Sequence, residues 1–399
     1  MKIAIVAHLF GFRDGQGRVN YEVAKAVLDA GHELTMVAHE CADDLATHSR
    51  ARFVKIQESS IPTQFMRNWS FAVRSARWLR KYRNSFDVIQ ANGFITLEPV
   101  DIVAAHFVHS SWHKHPSYPF RLPSTRPYVL YQNLFTWFNS RFEPSVYGRA
   151  KAVAAVSRRT RREVQALGVD PGKIHVIYNG VDAKAYCPGL ADRTRFGLPQ
   201  DVTIALFVGD IRTPRKNLDT VLRAMRHLPD LHLAVAGDTK GSPYLSMARE
   251  LGVDTRISFL GKSSEVALLM RSVDLFLFPS RYEAHPLVLM EALASGLPVI
   301  ASDGIAKGED FADACLLIQN PNDAEALAKV VSELLGSPAM QKQLSIKARE
   351  CALQMDWTVT RKKYLALYNE VVNMASDEVD SSGERSTRIQ TQSKEVLKQ

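Results

Sequence analysis

Pro279-Ser280-Arg281-Tyr282-Glu283-Ala284-His285-Pro286-Leu287-Val288-Leu289-Met290-Glu291-Ala292-Leu293-Ala294-Ser295-Gly296-Leu297-Pro298-Val299-Ile300 decides how this 399-residue chain is read. An apolar run, Asp274-Leu275-Phe276-Leu277-Phe278, leads into it with the unbroken hydrophobicity of a strand buried on both faces. Pro279 and Ser280 break that strand. Pro286 cannot sit deep in a helix but fits its first turn. Leu287 to Ala294 are good helix formers, and Gly296 is placed to stop them. Pro298 to Ala301 is a second apolar strand. The unit is a βαβ crossover with a polar loop at the carboxyl end of its first strand, where open α/β sheets bind ligands.

Glu283 falls in that loop and Glu291 about one and a half turns into the helix. A helix N-terminus favours phosphate, so carboxylates beside it need another task, such as accepting hydrogen bonds from sugar hydroxyls. A nucleoside diphosphate sugar offers both an anionic middle and polyhydroxylated ends. The competing reading is a solvated loop residue and an exposed helix residue.

The wording around the pair, Pro-Ser-Arg-Tyr-Glu and then Leu-Met-Glu-Ala-Leu-Ala-Ser-Gly-Leu-Pro-Val-Ile, resembles the signature of retaining GT-B glycosyltransferases of family 4. The resemblance implies that Glu283 meets the donor sugar and Glu291 the ribose. It implies that backbone N–H groups near His285, Pro286, Leu287 and Val288 hold the distal phosphate. The family often has Gly-Phe after the first Glu, where this chain has Ala284-His285.

Length favours two domains. Cys41, Cys187, Cys315 and Cys351 are scattered without a C-x2-C pair, which argues against a disulfide framework or thiolate metal site and for a reducing cytoplasm. No secretory signal or run of ~20 apolar residues is evident. The formal charge of +8 is uneven. Residues 51–200 hold 22 Lys/Arg against 9 Asp/Glu, an excess of 13, so the remainder is net negative by 5. An anionic partner on one lobe is the expectation.

Lys2 to Ala7, a helix from about Val19 to Ala30 and Leu34 to Ala38 give a Rossmann-like start. Its glycines, Gly11, Gly15 and Gly17, do not fit G-x-G-x-x-G, which disfavours a nicotinamide enzyme. The resemblance puts Gly15 and Gly17 in a loop over the diphosphate; a plain tight turn is the alternative. Phe65 to Tyr82 is expected to be helical and is basic and aromatic, suited either to an anionic bilayer or to a solvated helix with its aromatics in the core. His106, His109, His113 and His115 lack the partners of a metal motif. The family carries a His after this strand near the donor sugar and acceptor; His109 is the match, with His106 the second choice. From Phe107 to Tyr147 lie 11 of the 35 aromatic residues. That segment is expected either to cover the acceptor cleft at a membrane surface or to form a helical pair with its own small core.

Lys173-Ile-His-Val-Ile-Tyr-Asn-Gly-Val-Asp182 resembles the family's lobe junction, and Ala185 to Gln200 reads as a linker. In the second lobe Gly209-Asp210-Ile211-Arg212-Thr213-Pro214-Arg215-Lys216 follows a strand. The family has Gly-Arg and then Lys. Lys216 matches the Lys, but Asp210 stands at the Arg, leaving Arg212 or Arg215 to compensate. Gly304 to Glu309 only loosely matches a family loop and is given no role.

The expectation is thus an α/β GT-B fold: two Rossmann-like, doubly wound lobes facing a cleft. Residues 1–185 form the acceptor lobe, 186–356 the nucleotide-sugar lobe and 357–374 a helix crossing back, with 375–399 a disordered tail. Glu283, Lys216 and His109 are the candidate catalytic residues. Gly15, Gly17, Gly209, Arg212, Arg215, Lys216, His285, Pro286, Leu287, Val288 and Glu291 are the candidate donor contacts. The expected reaction is hexosyl transfer with retention, from a nucleotide sugar to a glycan or glycolipid hydroxyl, without metal or other cofactor. Peripheral contact with the inner face of an anionic membrane is expected, and nucleic acid is not. A sugar-nucleotide epimerase and a nonenzymatic anionic-surface binder are the alternatives.

Overall fold

The computed structural model describes residues 1–57 and 63–374. The expectation for residues 375–399 lies outside them. The first lobe contains β1 (Lys2–Val6), β2 (Leu9–Phe10), β3 (Glu33–Ala38), β4 (Glu40–Cys41), β5 (Ala51–Lys55), β6 (Val88–Asn92), β7 (Ile102–Ala105), β8 (Ala152–Ala155) and β9 (Ile174–Val176). The second contains β10 (Thr203–Val208), β11 (Leu231–Ala236), β12 (Ile257–Gly261), β13 (Leu275–Phe278), β14 (Val299–Ser302) and β15 (Cys315–Ile318).

One sheet runs β5-β3-β1-β6-β7-β8-β9 and the other β12-β11-β10-β13-β14-β15, each parallel. Central strands such as Ile3–Val6 and Leu275–Phe278 are buried because helices cover both faces of a parallel sheet. Strand order reverses between β1 and β6 in one lobe and between β10 and β13 in the other. Loops leaving neighbouring strands in opposite directions open a crevice at such a point.

Two crossings join the lobes side by side. Val181 bridges Asp356 in parallel, and the chain then enters a helix, residues 357–374. Trp357, Tyr364, Leu367, Tyr368 and Val371 of that helix pack into the first lobe's core with Ile3, Val27 and Val88. Gly180 is required there, since a Cβ would stand 2.6 Å from the Trp357 ring.

Two local expectations change. The first long helix begins at Gly15, not near Val19, because Asp14 caps it by accepting the Gly17 N–H at 2.7 Å. Gly17 is therefore a buried helix residue, not a loop over the cleft. A Cβ there would lie 2.6 Å from Leu9, so close packing explains this glycine. The strand expected to run on into the histidines, which would send His106 and His109 to opposite faces, ends instead at Ala105, and the chain turns into a helix, His109–Lys114.

The aromatic segment is a helical pair, His109–Lys114 and Pro127–Arg149, with a small core around Trp112 and Tyr118 that is not its own, since Tyr282 of the second lobe completes it. The Gln64–Tyr82 helix packs beside it: Phe65 and Trp69 meet Phe138 edge-on at 4.7 and 5.6 Å. Its aromatics divide, Phe71 entering the sheet core while Trp69 stays 39% exposed.

Candidate functional site

The second lobe's switch point builds the site from two loops. After β10 the chain turns through Pro214–Lys216 and reverses at Asn217, a buried residue with φ +68° that starts the helix Leu218–Ala224. Few side chains tolerate that backbone; Asn does so with local hydrogen bonding. Asn217 Nδ2 donates to Pro279 O at 2.8 Å, and its Oδ1 accepts from Thr220 Oγ1 at 2.7 Å. Arg281 N donates to Arg215 O at 2.9 Å, and the Arg281 guanidinium grips Asp219 at 2.8 and 2.9 Å. These bonds lock the Arg215-Lys216 loop to the Pro279–Pro286 loop.

Glu283 lies where the loops meet. Its Oε1 accepts from Lys216 Nζ at 2.7 Å and from Arg215 Nη1 at 2.5 Å. Burial presses the Glu283 carboxyl upward, but the two cations outweigh it and hold the carboxyl below its usual range. Burial lowers Lys216, against the pull of Glu283. Close approach requires glycine at Gly237, where a Cβ would stand 2.3 Å from Gly209 O, while a Cβ on Gly209 would stand 3.2 Å from the Lys216 side chain and press it aside.

The helix Leu287–Ala294 points its N-terminus at this cluster, with Pro286 as cap and Gly296, at φ +72°, ending it. Its first N–H groups have no intrahelical acceptor and can receive phosphate oxygens. Gly15, Gly209, Arg212, Lys216, Glu283, His285, Pro286, Leu287 and Val288 line a cleft of about 790 Å³ between the lobes. Asp14 and Gln16 of the first lobe and Asp238 and Lys262 of the second also line it. The last two follow strands β11 and β12.

Several expected residues are engaged by the protein itself or lie outside the cleft lining. Arg212 is engaged by carboxylates, with Nε on Asp210 at 3.0 Å and Nη1 near Asp238 at 3.5 Å. Arg215 is thus the arginine beside Lys216. Glu291 does not line the cleft; it is hydrogen-bonded to Tyr186, and burial pushes its carboxyl up to about 7. His285 lines the cleft and packs its ring on Tyr178 and Phe311 at 5.2 and 5.8 Å; burial lowers it to about 3, and neither ring nitrogen has a partner in the described structure.

His109 is also outside the cleft lining. Its N–H and Nδ1 lie 2.6 and 3.1 Å from Glu143 Oε1, and Glu143 also accepts the Ser110 N–H at 2.8 Å. That carboxylate, buried on the long helix, holds the start of the His109–Lys114 helix. His106 does line the cleft, half-buried and pushed down to about 4 by desolvation, with Nε2 unpartnered in the described structure. Its position directly after β7 was the available signal, since residues leaving a parallel strand face the crevice. Among the described residues no three His, Cys, Asp or Glu gather as a metal-ligand set.

Residues 13–185 match the family described as Glycosyltransferase Family 4, and residues 191–351 match Glycosyl transferases group 1. The chain belongs to the group 1 glycosyltransferases. A D-inositol 3-phosphate glycosyltransferase of Mycobacterium tuberculosis (strain ATCC 25618 / H37Rv) is 40% identical over 152 residues, 36% of this chain and 32% of that protein. The chain thus matches about a third of the length of that curated relative. Among solved structures, sucrose-phosphate synthase from Thermosynechococcus elongatus superposes with TM-score 0.75 at 21% identity, covering 94% of this chain and 99% of the other. Anabaena HepE in complex with UDP-glucose gives 0.70 at 18% identity, covering 93% and 100%. These two likenesses carry the GT-B fold.

Proposed function

We propose that this protein transfers a hexosyl group from a nucleoside diphosphate sugar to an acceptor hydroxyl, with retention at the anomeric carbon. The observation that carries this is the meeting of Glu283 and Lys216, which line the cleft between the lobes, with Arg215 behind them on the same carboxylate, beside the N-terminus of Leu287–Ala294. Lys216, Arg215 and the free helix N–H groups stabilise the departing diphosphate. Glu283 orients the sugar through its hydroxyls. The acceptor hydroxyl attacks on the face the diphosphate leaves, passing its proton to the leaving phosphate. His106, neutral near pH 7, faces the same cleft and replaces His109 as the imidazole at the sugar end. The chemistry routes charge through fixed cations, so no metal is assigned to it.

A lipid-linked acceptor fits the first lobe, and the setting we assign is glycolipid, lipopolysaccharide or exopolysaccharide synthesis at the cytoplasmic face of a membrane. The Gln64–Tyr82 helix contains no Asp or Glu. Met66 and Trp69 on it, and Leu130, Leu134 and Trp137 on the neighbouring helix, are all at least 39% exposed. An apolar patch rimmed by cations suits an anionic bilayer. No described helix is long and apolar enough to cross a membrane.

The test is incubation with UDP-glucose, UDP-galactose and GDP-mannose without acceptor. The transferase releases nucleoside diphosphate and free sugar slowly. An epimerase changes the sugar and releases none, and a nonenzymatic binder does neither.

A further inference from the structure

Tyr282 immediately precedes Glu283 yet belongs, by contact, to the other lobe. Its side chain is fully buried. The ring lies 4.9 Å from Trp112 and 5.3 Å from both Phe107 and His115, all first-lobe residues. The Arg159 guanidinium covers it at 4.3 Å. Its hydroxyl lies 3.1 Å from Glu163 Oε2 and 3.3 Å from Val108 O. On the second-lobe side, its carbonyl accepts from Arg215 Nη1 at 3.2 Å. One residue thus ties the first lobe to the loop that carries Glu283 and to the cation that faces it.

A second contact acts in the same sense. Glu309 of the second lobe accepts the N–H groups of Arg158 and Arg159 at 3.0 and 2.8 Å, at the start of a first-lobe helix, and the Tyr178 hydroxyl at 3.1 Å. This latch lies 26 residues along the chain from Glu283 and does not touch it. Asn179 Nδ2 also donates to His285 O at 3.2 Å, two residues beyond Glu283, but Tyr282 is the contact directly adjacent to the reacting carboxylate.

We propose that Tyr282 is a positioning residue: seated in the first lobe, it fixes Glu283 and Arg215 in reactive register only when the lobes are together. The inference rests on the transferase reading above. With the lobes apart, the second lobe still holds Lys216 and the helix N-terminus, so a nucleotide can bind. The carboxylate loop, however, loses its outer anchor. Coupling register to closure confines sugar activation to the assembled cleft.

The experiment compares the full chain with Tyr282→Phe, Tyr282→Ala and Glu163→Gln in two measurements. Affinities for UDP and GDP are measured by calorimetry beside kcat for hydrolysis of UDP-glucose, UDP-galactose and GDP-mannose. Small-angle scattering reads lobe separation without reference to activity. The expected result for Tyr282→Ala is kcat lower by on the order of tenfold or more, nucleotide affinity within about twofold of wild type, and a larger radius of gyration. Tyr282→Phe, which keeps the ring, recovers most of kcat. Glu163→Gln keeps the second lobe intact and supplies the test if Tyr282→Ala does not fold; it removes the carboxylate that holds Arg159, at 2.9 Å, over the Tyr282 ring, and should lower kcat less than Tyr282→Ala without changing nucleotide affinity.

Unchanged kcat and scattering in the variants overturn the proposal. Parallel loss of kcat and nucleotide affinity also overturns it, since a merely structural role does that. If the wild-type chain neither binds UDP or GDP nor hydrolyses any of the three donors, the transferase reading fails, and scattering alone decides whether Tyr282 holds the lobes together.

Discussion

Lys216 Nζ stands 2.7 Å from Glu283 Oε1, an oxygen that Arg215 also engages. The cations suited to a diphosphate are therefore held by the protein's own carboxylate, and a donor must draw Arg215 and Lys216 partly away from it. Glu283→Gln should lower turnover on the order of a hundredfold while UDP and GDP bind at least as tightly as to wild type. Parallel calorimetry and donor hydrolysis check this; near-normal turnover would remove the sugar-orienting role.

Removing a cation beside a developing diphosphate charge costs on the order of 3 kcal/mol in the transition state, or about a hundredfold in rate. Lys216→Ala should show that loss with its circular dichroism intact. Arg215→Ala should lose activity in the same direction. Arg212→Ala should lose little, because Asp210 and Asp238 already occupy that guanidinium. Steady-state kinetics of the three variants check the ranking, and an Arg212 variant worse than the Arg215 variant contradicts it.

Asn217 holds two loops from a left-handed backbone. Asn217→Ala loses the bond to Pro279 and keeps the strained φ, so a loss of roughly 2–4 kcal/mol is expected. Asn217→Gly relieves the backbone part and should lose less. Urea unfolding of both variants checks the order.

The Glu291 carboxyl is raised to about 7 by burial, with Tyr186 and Arg18 opposing. Raised above its unfolded value, it contributes stability fully below about pH 4.5 and loses it as pH rises through about 7. At about 1.4 kcal/mol per pKa unit, the rise from 4.5 to about 7 makes its contribution at most about 3–4 kcal/mol. Glu291→Gln should flatten the loss between pH 5 and 8, read from urea melts at both ends. An equally steep loss in the variant would show that another group titrates.

Sedimentation with anionic vesicles, reversed largely by high salt, is expected of the wild-type chain, because screening shortens from about 10 Å at 0.1 M to about 3 Å at 1 M. Arg80 pairs with Glu98 and Arg74 with the Gln57 carbonyl, so Arg77 and Lys81 are the better targets on that helix. Changing those two to Gln, with Trp69→Ala and Trp137→Ala, should weaken sedimentation and leave donor hydrolysis unchanged. Equal binding to neutral vesicles would point away from an anionic surface.

The sequence by itself determined the strand-loop-helix units, the two-lobe plan and the placing of Glu283 and Lys216 on adjoining loops. Those features are written locally, in apolar runs, in Pro286 and Gly296 at the helix ends, and in the order of strands. What touches what across the cleft was decided only by tertiary structure. Arg212 and Arg215 are equivalent as residue types, and their difference lies in Asp210 and Asp238 claiming the first. His106 and His109 are three residues apart, but the turn from β7 into a helix leaves one facing the cleft and turns the other toward Glu143. Gly17 looked like a phosphate loop and is a packing residue against Leu9. Tyr282 reads as one aromatic in a motif, yet its partner Val108 is 174 residues away. Spacing carries no record of such contacts, because they depend on how two separately folded sheets come to face each other.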